Sequence, residues 1–93
     1  MFALGGRTPS VEFRAGMGAN EDLERAASLF ERAAGELELA ARHCRTAACH
    51  MREREVPRGA AHAWAAHGHV LRAAALLEEQ ARMHADTSNP DPG

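Results

Sequence analysis

The sequence predicts an all-α protein: an antiparallel two-helix hairpin that pairs into a four-helix bundle. Three observations carry that prediction. Residues 25 to 52 read as four consecutive seven-residue units, RAASLFE, RAAGELE, LAARHCR and TAACHMR. A Pro-containing break, Glu-Val-Pro-Arg-Gly over residues 55 to 59, separates them from a second apolar-periodic stretch that ends near Ala85. That second stretch carries two apolar seams side by side, one more than a single partner helix can cover.

The four units define the first helix. Each has an Ala pair at its second and third places and a bulky or soft apolar residue at its sixth. Third and sixth places alternate three and four apart, as a heptad seam does. Ala27, Phe30, Ala34, Leu37, Ala41, Cys44, Ala48 and Met51 are therefore the expected interaction seam, with alanine letting a neighbouring helix come close. Asn20 is the expected N-cap, and Glu21, Asp22 and Glu24 suit the positive end of the helix dipole. The seventh place changes sign along the helix, from Glu31 and Glu38 to Arg45 and Arg52, which is the polarity the dipole favours. Pro57 disfavours helical backbone at Val56, so helix one is expected over about residues 20 to 54.

Pro57 is tolerated in the first turn of a second helix, expected over about residues 58 to 85. So short a connection makes the two helices antiparallel neighbours. One seam of helix two is Ala60, Ala63, His67, Val70, Ala74, Leu77 and Ala81; beside it run Trp64, Gly68, Leu71 and Ala75. Arg58, His62, His69, Arg72 and Glu79 form its polar strip. Gly68 stands in mid-helix, where glycine costs about 1 kcal/mol relative to alanine. It is expected to lie against Cys44 and Arg45 and to leave room for Trp64. With one seam spent on the hairpin, the other calls for a second hairpin, either a copy in a homodimer or a partner helical protein. Residues 1 to 19 lack a period and read as a flexible arm, Met17 being a cleaner start for the domain; 87 to 93 read as a disordered tail.

Composition narrows the function. Ninety-three residues with 45% apolar content, much of it alanine, with three Phe, one Trp and no Tyr, supply few large core side chains. Every one of the 11 basic residues is Arg, a sign of high-GC coding bias. A formal net charge of −2 with interspersed signs lacks the basic footprint of a nucleic-acid binder. No apolar run is long enough to span a bilayer, and two cysteines without a signal-like segment point to a cytoplasmic protein with reduced thiols.

No catalytic constellation appears: there is no Gly-rich phosphate loop, no nucleophile motif and no carboxylate pair, so neither an enzyme nor a cofactor is expected. His43, Cys44, Cys49, His50, His62, His67, His69 and His84 contain no pair spaced for one ion on one helix, which leaves a cross-helix pair such as His50 with His62 as the open geometry for a metal. Cys49 lies in an outward column between Arg45 and Arg52, where nearby cations would make a thiol reactive, and Cys44 lies in the seam. Trp64-Ala-Ala-His67-Gly68-His-Val-Leu71 is similar to the opening of a tetratricopeptide repeat over those residues alone, without the repeat's period of about 34 residues. The sequence therefore points to a small interaction or assembly module, with a thiol- or histidine-based sensor and a nucleic-acid-associated regulator as the alternatives.

Overall fold

The computed structural model describes residues 17 to 91, with side chains from Asn20 onward. The expected arm up to residue 16, and residues 92 and 93, lie outside the described residues. Two helices, α1 (Met17–Arg52) and α2 (Val56–Thr87), pack against each other along their length. Asn20 falls inside the first turn of α1 instead of at its cap, because the chain is already helical at Met17.

The reversal between the helices is made by backbone geometry. Arg54 has φ 63°, in the left-handed region, and Val56 already belongs to α2, so Arg54 and not Pro57 ends α1. The Arg54 N–H donates to the Met51 carbonyl (3.0 Å) and the Glu55 N–H to the His50 carbonyl (2.8 Å). These two bonds satisfy carbonyls that a helix C-terminus leaves unpaired, in the motif that usually places glycine at the left-handed position. Here the residue is arginine, which carries a strain of about 1 kcal/mol. Pro57 sits in the first turn of α2, where its missing N–H is not needed, and the Gly59 N–H closes that turn onto the Glu55 carbonyl at 3.0 Å. At the other end the Ser88 hydroxyl (2.8 Å) and the Thr87 hydroxyl (3.1 Å) both donate to the His84 carbonyl.

The helices meet through a different column from the one the alanine pairs suggested. On α1 the inner seam is the second and fifth places of each unit: Ala26, Leu29, Ala33, Glu36, Ala40, His43, Ala47 and His50, none of them exposed. On α2 it is Gly59, His62, Ala66, His69, Ala73, Leu76, Gln80 and Met83, likewise never exposed. Either alanine of each pair could satisfy a heptad. The fifth-place residues decide which one does: Leu29 is buried and Glu36, His43 and His50 find polar partners on α2 or in the bend, whereas of the sixth-place residues Phe30, Leu37 and Cys44 stay exposed and Met51 alone lies against α2, at Gly59.

A small residue every seventh position on both helices lets the axes approach, and it also makes the core thin. The buried apolar residues among those described are Leu29, Ala33, Ala40, Ala66 and Ala73, and no large side chain is fully enclosed. A fully buried Leu contributes roughly 1.5 to 3 kcal/mol and an alanine far less, so this interior stabilises the hairpin weakly. Gly59 is the glycine with the closest neighbour: a Cβ there would meet the end of the Met51 side chain at 2.8 Å, so that flexible side chain would have to shift. Gly68, expected against Cys44 and Arg45, has nothing within 4 Å of a Cβ position, as has Gly35.

Candidate interaction face and the histidine ladder behind it

Inside the hairpin the fifth-place column of α1 and its counterpart on α2 build a polar ladder. Near the bend, His50 Nδ1–H donates to Glu55 Oε1 at 2.9 Å. The His50 ring stacks on His62, with centroids 5.4 Å apart. His62 and His43 share one proton between their Nδ1 atoms at 2.9 Å, one imidazole donating to the other. His43 stacks on His69 at 5.4 Å, and His69 Nδ1–H donates to Glu36 Oε1 at 2.7 Å. Arg72 Nη1 adds a longer contact of 3.9 Å to the same Glu36 oxygen.

His62 and His69, placed on an outer polar strip by their sequence context, are thus interior residues. The signal was present: His43 and His50, like His62 and His69, stand seven apart and between the inner small residues. Polar layers of this kind contribute alignment more than stability, since a slipped pairing would strand imidazoles and carboxylates without partners.

His50, Glu53 and Glu55 also bring ligand-type atoms within 4.8 Å of one another, the one such grouping among the described residues, with one nitrogen and two oxygen donors for a small divalent ion. Glu53 is exposed there, and the His50–Glu55 hydrogen bond already engages the other two donors. Cys49 donates its thiol proton to Glu53 Oε2 at 3.8 Å, so its immediate partner is an anion instead of the expected arginines. Both cysteines are exposed; Cys44 is not held in the inner seam.

The third-and-sixth column lies on the outside. Phe30 is 50% exposed, Leu37 46% and Met51 44%, while Ala27, Ala34 and Cys44 are exposed and Ala41 and Ala48 half-buried. At about 100° per residue, the sixth and third places stand roughly 40° and 100° round from the second place, and the fifth lies roughly 60° the other way. The column therefore forms one flank of α1. Turning a helix end for end reverses the sense of its wheel, so in an antiparallel pair the corresponding flanks emerge on the same side.

The counterpart on α2 is Val56, Ala60, Ala63, His67, Val70, Ala74, Leu77 and Ala81, nearly all of it the first seam read from the sequence. The register that pairs Glu36 with His69 and His43 with His62 brings Phe30 close to level with Leu77, Leu37 with Val70, and Met51 with Val56. Both apolar columns thus form one face, two helices wide. The opposite flank carries Arg32, Arg58, Arg72 and Glu79 with Leu39 among them. Trp64 (74% exposed) and Leu71 hold the seventh place of the α2 pattern, at the outer edge of the apolar face, with exposed Gly68 and Ala75 behind them on the back of α2.

No family model, curated protein or solved structure matches this chain. No helix among the described residues is long and apolar enough to cross a membrane.

Proposed function

We propose that this protein is a non-enzymatic assembly module whose hairpin presents an apolar face for a second helical layer. One observation supports this above the others: the distribution of side-chain size is inverted. The large apolar residues Phe30, Leu37, Met51, Val70 and Leu77 are each more than 40% exposed, while the interior is mostly alanine, glycine and histidine, with Leu29, Leu76 and Met83 its only larger apolar members among the described inner-seam residues. Covering side chains that are about half exposed contributes on the order of 1 kcal/mol each, and the face offers several per hairpin. Contiguous apolar surface of that kind marks an interaction site.

The histidine ladder fits the same reading. A module that assembles through one face must present that face in a fixed register, and polar layers between the helices set it. The test is sedimentation equilibrium of the purified chain from nanomolar to tens of micromolar. Reversible association with retained helicity is expected. A stable, folded monomer throughout the range would remove the proposal.

A further inference from the structure

The apolar face has a charged border whose signs identify what covers it; the inference rests on assembly through that face. The seventh place of each α1 unit stands roughly 140° from the second, just beyond the third-place alanines, and so lines the outer edge of the face. Its occupants are Glu31, Glu38, Arg45 and Arg52. All four are exposed, and none makes an ion pair with another of the described residues; Glu36, Glu55 and Glu78 are among the acids that do.

We propose that the occupant is a second copy of this chain, related by a two-fold axis that crosses α1 between Ala41 and Arg42 and sets the two α1 helices antiparallel. About that axis Glu31 meets the partner's Arg52 and Glu38 meets the partner's Arg45, each twice by symmetry. The charges choose this register. Moving the axis half a heptad to Glu38 or to Arg45 would set that residue against its own copy. The apolar column accepts the same axis: Ala41 packs on itself, Ala34 lies opposite Ala48, Leu37 opposite Cys44, and Phe30 opposite Met51.

Two further features agree. The register that pairs His43 with His62 places Trp64 level with Ala41, so the two copies carry their exposed indoles at the axis, along the other edge of the face. From Phe30 to Met51 the face is about 32 Å long and, with two helices side by side, about 20 Å wide. Paired with its copy it buries on the order of 1,300 Å² in total, which is the range of specific protein dimers.

The experiment uses two full-length variants: Glu31→Arg with Glu38→Arg, and Arg45→Glu with Arg52→Glu. Each alone turns the four cross-dimer attractions into repulsions and is expected to weaken self-association by about ten- to a hundred-fold. An equimolar mixture is expected to regain nearly wild-type affinity, because every edge pair in the mixed dimer is again opposite in sign. Heterodimer formation is read by native mass spectrometry, and Trp64 emission gives an independent binding curve. Neutral variants, Glu31→Gln with Glu38→Gln, guard against misfolding: they should retain helicity and lose most of the salt sensitivity of wild-type association. Wild-type dimers that tolerate both reversals, with no preference for mixed pairing, overturn this two-fold arrangement and leave assembly through the face standing. A wild-type chain that does not self-associate at all overturns both.

Discussion

Two adjacent alanines carrying the same substitution separate the inner seam from the outer face. Ala33 is 2% exposed and faces α2, whereas Ala34 is exposed on the outer column. Replacing Ala33 with Leu inserts three carbons where alanines on both helices fix the approach, and overpacking of that kind costs about 1 to 3 kcal/mol. Helix propensity hardly changes, since Ala and Leu are both strong helix formers. For a domain of this size each kcal/mol shifts Tm by about 4 to 8 °C, so Ala33→Leu should lower it by at least about 4 °C. That loss should be the same at every protein concentration, because the contact is intramolecular. Ala34→Leu should leave the dilute, monomeric hairpin within about 0.5 kcal/mol of wild type and alter only the concentration-dependent part of the melt. Circular-dichroism melts at two concentrations a hundred-fold apart distinguish these outcomes. Equal destabilisation by both substitutions in dilute solution, or a greater loss at Ala34, would refute the assignment of the seam.

Other outcomes follow from single positions. Arg54→Gly removes the left-handed strain at the bend and should stabilise the hairpin by up to about 1 kcal/mol in urea unfolding; a loss would mean the arginine side chain has a stabilising contact that outweighs the strain. Gly68→Ala, in open space on α2, should likewise gain up to about 1 kcal/mol, and a destabilisation would show that the back of α2 is packed. Gln80 has a buried Oε1 with no hydrogen-bond partner, so Gln80→Leu should stabilise by about 1 to 2 kcal/mol unless an ordered water satisfies it. Cys44 and Cys49 are both exposed in the single hairpin and should react with a thiol reagent at similar rates in dilute solution. Raising the concentration should slow Cys44 alone, and equal slowing of both would place the contact elsewhere.

The all-helical class and the packing of two helices were legible because they depend on period and on a break, and seven-residue units with a Pro-containing turn state both plainly. The phase of the seam was not, because an alanine pair at two neighbouring places satisfies the heptad rule twice. Hydrophobicity then argues for the wrong choice: Phe30, Leu37 and Met51 look like core, yet Glu36, His43 and His50 take the interior because His69, His62 and Glu55 face them. Such pairing is invisible to a one-helix pattern, since His69 and His62 lie on the other helix and Glu55 in the bend. Gly68 misled for a related reason. A glycine in mid-helix suggests close approach, but the close approach is at Gly59, beside Met51, where the first turn of α2 starts. The bend was attributed to Pro57, while the conformation that ends α1 belongs to Arg54, whose residue type gives no sign of a positive φ.

The outward apolar column is the centre of the account, and hydroxyl-radical footprinting across a concentration series reads it directly. Phe30 and Met51 lie on the proposed contact face, and Leu39, 38% exposed on the opposite flank, is the internal control. Protection of Phe30 and Met51 should rise with concentration along the same curve as the sedimentation data, while oxidation of Leu39 stays constant. Uniform reactivity of all three at concentrations where the protein is associated, or protection of Leu39 alone, would contradict assembly through this face.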